Sequence, residues 1–319
     1  MKLILDEKKI RKGKPIGLPY QGSKKKISKK IVEIIKQNFG TDKPIYDIFG
    51  GGGAITAECV LNGLKVYYND LDKTITDMFQ RVVSQDRKWI KTMIVSREEF
   101  FSIKEKQEKS VDDELKLLVN SFGNNRKSYL YSEKWSCMKY NLAIDIITKH
   151  DVFNGYKQTD TYKNAKRTYD ECKLLKNKAL QHLQQLQQLE QLGQLGQLEH
   201  LQRLEQLERL QQLEHLQRLQ QLEQLESTNL SYENFSDVKD SILYLDPPYE
   251  RAKNNYKFEF DSLKFYEWAY KMAKNNIVLI SSYDISDERF EEVYSFDKAR
   301  STLQSGTNNG KCEKLFMIK

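Results

Sequence analysis

At 319 residues the chain is long enough for one large domain plus an insertion or a second domain, and 52 Lys/Arg against 45 Asp/Glu leave a net charge of +7. No apolar run approaches the ~20 residues of a membrane span, and Met1 to Lys14 is charged, so neither a membrane span nor a secretory leader is expected. Cys59, Cys137, Cys172 and Cys312 are scattered without metal spacing, and the histidines form no cluster, which argues against a metal site and fits a reducing cytoplasm.

Residues 1–43 hold 13 Lys/Arg and 4 Asp/Glu, a net of +9. Within them Pro15-Ile16-Gly17-Leu18-Pro19-Tyr20-Gln21-Gly22-Ser23-Lys24 precedes a helical stretch from Lys25 to Phe39. Pro44 to Phe49 reads as a strand, Gly50 to Gly53 as a turn, and Ala54 to Leu64 as a helix broken at Gly63. A strand, a glycine turn and a helix bring backbone close to a ligand at the C-terminal edge of a sheet. No Gly-Lys-Ser/Thr follows, which excludes a Walker loop, and the dinucleotide Gly-x-Gly-x-x-Gly spacing is incomplete. Lys65 to Asp72 reads as a second strand ending in acids. Asp70 there occupies the position at which doubly wound folds hold a pair of ribose hydroxyls.

Residues 85–178 read as mostly helical with polar loops such as Gly123-Asn124-Asn125-Arg126-Lys127-Ser128. Residues 121–178 carry 12 Lys/Arg and 6 Asp/Glu, a net of +6, together with Tyr129, Tyr131, Tyr140, Tyr156, Tyr162 and Tyr169. Basic and aromatic residues together suit a phosphate backbone and unstacked bases.

From Leu180 to Leu225 a leucine stands at every third position, sixteen in all, and residues 180–226 carry 3 Arg against 7 Glu. On an α-helix each three-residue step falls about 60° short of a turn, so the leucines circle the helix and leave no apolar face. A heptad needs alternating steps of three and four, and 3₁₀ helices are short. The favoured expectation is therefore a triangular β-solenoid, with a long helix or helical hairpin as the alternative supported by the helix propensity of Leu, Gln, Glu and Arg. A spacer, a self-association surface and a partner-docking arm are all open roles for 180–226.

Ser241-Ile242-Leu243-Tyr244-Leu245-Asp246-Pro247-Pro248-Tyr249 follows. Ile242 to Leu245 reads as a short buried strand with a carboxylate just past its C-terminal end. The prolines hold the turn rigid, and Pro247, lacking N–H, offers only its carbonyl. Two fixed acceptors and the Tyr249 ring suit a planar base with an exocyclic amine. Asp246 and the Pro247 carbonyl can accept its two N–H bonds and aim the nitrogen lone pair at an electrophile, while Tyr249 stacks on a flipped base. Ile277 to Tyr283 and Glu313 to Ile318 read as later strands.

These blocks, in this order, resemble the Dam-type, D12-class DNA adenine N6-methyltransferases, which use S-adenosylmethionine. The Ser121-Phe122-Gly123-Asn124-Asn125 segment resembles phage-type members. The resemblance covers most of 10–140 and 240–319 and leaves out 180–226. It implies a Rossmann-like α/β methyltransferase sheet formed by 1–84 and 240–319, a mostly helical target-recognition region at 85–178 and a leucine-repeat insertion at 179–227. It further implies that Tyr20, Lys24, Asp70 and Asp246 contact the methyl donor, with Phe49, Gly50 and Gly52 in the same cofactor block. Asp246, Pro247, Pro248 and Tyr249 would act on the target base, and Asn124, Asn125, Arg126 and Lys127 would contact DNA. No metal is expected. Cytosine N4 is the alternative acceptor, although cytosine enzymes more often carry Ser where Asp246 stands. A DNA-binding protein without turnover, working through the leucine repeat, is the reading from outside the enzymes.

Overall fold

The computed structural model describes residues 2–20, 22–171, 203–219, 222, 225, 227–250, 260–296 and 312–319. They divide into two compact units, Met1–Asp86 with His215–Lys319, and Arg87–Glu214. The second boundary falls within the leucine repeat, which the sequence reads as a segment of its own.

The first unit is built on a seven-stranded sheet of order β3-β2-β1-β4-β5-β7-β6. Its strands are β1 (Ile45–Asp47), β2 (Val66–Asn69), β3 (Ser227–Thr228), β4 (Ile242–Leu245), β5 (Ile277–Ser282), β6 (Phe290–Phe296) and β7 (Glu313–Ile318). All pairings are parallel except those of β7, which runs antiparallel to both neighbours. This is the α/β sheet expected. The middle strand β4 shows why its sequence is continuously apolar. Ile242 and Tyr244 enter one core with Ile31, Ile34 and Ile35 of helix α1 (Ser28–Phe39) and Ile55 and Cys59 of α2 (Ala54–Leu61). Leu243 and Leu245 enter the opposite core with Phe265, Trp268 and Met272 of the helix Ser262–Met272. A parallel strand covered on both faces has no polar side to show.

The strand order reverses at β1. One neighbour, β2, follows it in sequence through α2, whereas the other, β4, returns after the whole of the second unit. Open α/β sheets bind ligands at the C-terminal ends of strands beside such a reversal. Asp47 ends β1, Asn69 ends β2 just ahead of Asp70, and Asp246 follows β4.

The second unit is mostly helical. It contains α4 (Arg87–Lys91), α5 (Arg97–Glu105), α6 (Val111–Asn120), α7 (Glu133–His150), α8 over 160–171 and the start of α9 (Glu205–Gln217), after α3 (Lys73–Val83) of the first unit. Ser110 and Asp113 form a reciprocal capping box that starts α6. Four of the tyrosines read as base-stacking candidates, Tyr129, Tyr131, Tyr156 and Tyr162, are instead buried in this unit's interior. An aromatic residue in a basic segment looks the same in sequence whether it faces a core or a nucleic acid.

The repeat is corrected where it is described: Glu205–Gln217 is an α-helix, not solenoid coil. Residues 180–202 and parts of 220–226 lie outside the described residues. Leu204, Leu207, Leu210 and Leu213 are all fully buried, although three steps of three residues sweep them about 180° around the axis. The expectation failed because it required one apolar face, whereas this stretch of helix is enclosed on several sides. Three polar side chains, Gln206, Arg209 and Glu214, are buried with it. Gln206 Nε2 donates to Asn120 Oδ1 at 2.6 Å and to the Val95 carbonyl at 3.2 Å. Arg209 Nη1 donates to the carbonyls of Val119 and Ser121, both at 2.6 Å, and so caps the C-terminal end of α6. The last carbonyls of a helix have no partner within it, and a cation there also meets the negative end of the helix dipole.

Arg209→Met retains the apolar stem and removes the cap. Leaving those interior carbonyls short of a donor should lower the unfolding free energy by about 1–3 kcal/mol. Denaturant unfolding of the full chain reads this directly, and an unchanged midpoint would show that the cap contributes nothing.

Candidate active site

The glycine turn between β1 and α2 starts the site. Gly50 N–H donates to the Asn69 carbonyl at 2.8 Å, tying the end of β1 to the end of β2. A Cβ on Gly50 would lie 2.3 Å from the Tyr68 ring, and one on Gly52 would lie 2.9 Å from Tyr20 Cβ. Both positions therefore exclude a side chain. From sequence these glycines are expected to admit a ligand, but the groups that claim the space are the protein's own tyrosines. Tyr68 Oη also donates to the Gly51 carbonyl at 2.7 Å, so the turn is held from beneath.

Asp70 holds the same turn from the side. Its Oδ2 accepts the Gly51 N–H at 2.8 Å and its Oδ1 accepts the Asp72 N–H at 2.9 Å. Burial raises its carboxyl to about 6; the two N–H donors oppose the rise, and the charges of Asp72 and Asp246 add to it. Asn69, next to it, is buried and stitches three segments together. It donates to the carbonyls of Ile48 at 2.8 Å and Leu230 at 3.0 Å, and accepts from Leu230 N–H at 2.9 Å and Thr228 Oγ1 at 2.7 Å. Phe49 points away from the polar groups into a ring cluster, with Tyr232 and Phe260 both 6.1 Å away and Phe265 5.6 Å away, centre to centre.

Asp246, just past β4, is bound from several directions. Lys24 Nζ lies 2.7 Å from Oδ1 and 2.6 Å from Oδ2. Ser281 Oγ, on β5, donates to Oδ1 at 2.9 Å and itself accepts from Tyr244 Oη at 3.0 Å. Pro247 is buried and Pro248 half-buried as the chain turns to Tyr249. Tyr249 Oη accepts from Lys24 Nζ at 2.8 Å, lies 3.3 Å from Asp246 Oδ1 and hydrogen-bonds Glu313 Oε1 on β7. Its ring meets Tyr283 edge to face at 4.8 Å. Lys24 Nζ is also 3.5 Å from Glu313 Oε1. Burial raises the Glu313 carboxyl, and the Lys24 ammonium pulls against that rise. Burial, followed by the charges of Asp246 and Glu313, pushes the Tyr249 hydroxyl well up.

Tyr20, Lys24, Gly50, Gly52, Asp70, Asp246 and Tyr249 thus gather at the C-terminal edge of one sheet. Ser281 and Glu313, which no sequence motif singles out, belong with them, as do Asp47 and Asn69 at the ends of β1 and β2. Ser281 and Glu313 lie 35 and 64 positions from the groups they bind, with no motif to connect them. The four residues expected to touch DNA lie in the second unit, on a loop just past α6. There Arg126 pairs with Glu114 at 2.9 Å, and Asn125 Oδ1 accepts the N–H groups of Lys127 and Ser128 at 2.8 and 3.0 Å. Asn124 and Arg126 have φ of +57° and +58°, a conformation Asn adopts more readily than Arg, and Lys127 is exposed. Among the described residues no cluster of three or more His, Cys, Asp or Glu could hold a metal, and no helix is long and apolar enough to cross a membrane.

The family model for the D12 class N6 adenine-specific DNA methyltransferases matches residues 20–298. No curated protein matches the chain. Among solved structures, two of the rRNA methyltransferase aviRa from Streptomyces viridochromogenes are similar at TM-scores of 0.34 and 0.33 and 8% and 9% identity, each over 91% of this chain and 84% of the other. A likeness that loose carries no residue and no reaction across.

Asp47 yields a test of the site's electrostatics. Its Oδ2 accepts from Thr56 N–H at 3.1 Å and from Thr56 Oγ1 at 2.6 Å, yet burial lifts its carboxyl to about 7, with the charges of Asp246 and Asp70 adding to the rise. Between pH ~4 and ~7 the unfolded chain has lost this proton while the folded chain keeps it, so stability falls as pH rises across that window. Asp47→Asn keeps an acceptor for Thr56 and should flatten the fall by a few kcal/mol, since each tenfold change in proton affinity is worth about 1.4 kcal/mol. Asp70 still titrates in the variant and leaves a smaller slope. Unfolding midpoints followed from pH ~4 to ~8 would reject the assignment if wild type and variant ran parallel.

Proposed function

We propose, from the premise that this chain belongs to the D12 class of N6 adenine-specific DNA methyltransferases, that Asp246 and the Pro247 carbonyl receive the two N–H bonds of the target adenine. Family membership implies methylation of adenine in DNA with S-adenosylmethionine as donor. The residue roles are our reading. The observation that carries it is the convergence of Asp246, Lys24 and Tyr249 at a strand-order reversal beside Asp70.

An aromatic amine is a poor nucleophile because its lone pair is delocalised into the ring. Two fixed acceptors draw its hydrogens out of the base plane and expose that pair. Asp246 Oδ1 already meets Lys24, Ser281 and Tyr249, whereas Lys24 is the partner described for Oδ2, which leaves Oδ2 the oxygen that receives the amine. Ser281 and Lys24 fix the carboxylate plane. Tyr249 offers its ring to the base while its hydroxyl is held.

In this reading the methyl donor lies beside β2, with its ribose at Asp70. Each Asp70 oxygen accepts one backbone N–H, and a carboxylate oxygen can accept a second hydrogen bond, so the pair can take two ribose hydroxyls. S-adenosylmethionine supplies the transferable methyl group when bound. The chain's own residues orient the acceptor and hold the donor. The second unit is proposed to contact DNA because of the net charge of +6 over 121–178, Lys127 being the exposed cation of its loop.

Asp246→Ala should lower methyl transfer to duplex DNA by ~10²–10³-fold, the usual loss for one preorganised group. Near-normal turnover would remove Asp246 from the site. Asp70→Ala should weaken donor binding far more than turnover at saturating donor, because a ribose contact is equal in ground and transition states. Calorimetry giving an unchanged donor affinity would sink that role.

A further inference from the structure

Among the described residues around Tyr249 the charges do not balance. One ammonium, Lys24, faces two carboxylates, Asp246 at 2.6 Å and Glu313 at 3.5 Å. The Lys24 and Glu313 side chains are only 11% and 7% exposed, so water screens this imbalance weakly. Asp246 is accounted for by the reading above, on which this inference rests. Glu313 is not. It starts β7, the strand furthest in sequence from the glycine turn, and among the described residues its carboxylate meets the site through Lys24 and the Tyr249 hydroxyl.

The reaction itself creates a need for a second carboxylate. When the bond from N6 to the methyl carbon forms, the bond from that carbon to sulfur breaks and sulfur keeps the electron pair. The positive charge passes to N6, and N6 must then lose one proton. Asp246 is the first acceptor within reach, but a protonated Asp246 cannot serve the next adenine. Tyr249 Oη bridges Asp246 Oδ1 at 3.3 Å and Glu313 Oε1.

We propose that Glu313 is the proton-accepting partner of the methyl transfer, working through the Tyr249 hydroxyl. The proton moves from Asp246 to Tyr249 Oη as the Tyr249 proton moves to Glu313 Oε1. Asp246 returns to a carboxylate, Tyr249 stays neutral, and Glu313 becomes a neutral acid. The cluster then holds one ammonium and one carboxylate. Before transfer, its surplus negative charge also favours the positive charge arriving at N6. Burial and Asp246 raise the Glu313 carboxyl while Lys24 lowers it; among the described residues Tyr249 and Tyr244 are the other titratable groups facing it.

The test uses the full chain, unmethylated duplex DNA and labelled methyl donor, with multiple-turnover rates measured from pH ~5.5 to ~8.5 at saturating donor so that Asp70's effect on donor binding drops out. Glu313 must be ionised to receive the proton, so the wild-type rate should rise with pH along an acid limb. Glu313→Gln keeps an oxygen for the Tyr249 hydroxyl but cannot take a proton. It should be slower by about 10²-fold, the low end for general-base assistance, and should lose that limb. Tyr249→Phe keeps the ring and breaks the bridge, and should lose the limb as well, which covers the case of a Glu313→Gln chain that does not melt cooperatively. Wild-type rate and pH dependence in a folded Glu313→Gln, or a retained limb in Tyr249→Phe, would overturn the proposal. Asp246→Ala is run alongside. If it is inactive while Glu313→Gln matches wild type, this inference alone fails; if it is active, the reading of the site fails first.

Discussion

A single ammonium group holds the proposed centre together. Lys24 opens the short 3₁₀ turn Lys24–Lys26, and its Nζ reaches Asp246 after β4, Tyr249 three residues on, and Glu313 on β7. None of these partners is near it in sequence, so the contact can form only once the sheet has assembled. Enclosing a cation is costly unless its partners are in place, and here two carboxylates and a phenol meet it. The N-terminal segment is thereby fastened to the edge of the sheet, with Leu18 N–H donating to the Gly52 carbonyl at 2.8 Å as a second fastening.

The sheet presents these groups together because of its order. Asp47, Asp70 and Asp246 end or follow three adjacent strands, β1, β2 and β4, and parallel pairing brings their carboxylates to one edge. Three acids so close depress one another's ionisation. The consequence is visible in Asp47 and Asp70, both raised by burial and by their neighbours. The N–H groups of Gly51, Asp72 and Thr56 offset part of that cost. A polar edge on an apolar sheet is a strained arrangement that functional sites commonly retain.

Local pattern carried much of this into view. Ile242 to Leu245 reads as a buried strand because a strand covered on both faces must be apolar throughout. The glycine run reads as a turn because no other residue fits beside Tyr68 and Tyr20. Asp70 and Asp246 are legible from their places after strands. Ser281 and Glu313 are not, since a serine at a strand end and a glutamate at a strand start are ordinary until folding brings them to Asp246 and Tyr249. Phe49 falls between: its strand is legible, but its ring turns into the apolar cluster. The helix at Glu205–Gln217 agrees with the alternative that propensity supports, and periodicity ranks it second for a different reason. Periodicity reports how many faces of a segment are apolar, not how many neighbours surround it.

That helix has a property that its leucines alone would deny it. A segment with one leucine every three residues can slide by three and look unchanged to an apolar surrounding. Gln206 and Arg209 break that degeneracy, because Asn120 and the end of α6 accept only the right side chain at the right place. They act as index marks on a scale whose divisions are otherwise identical. A chain that gained or lost triplets ahead of Arg203 would keep both marks aligned. One that gained or lost a triplet between Gln206 and Arg209 would change their spacing, and only one of them could then find its partner.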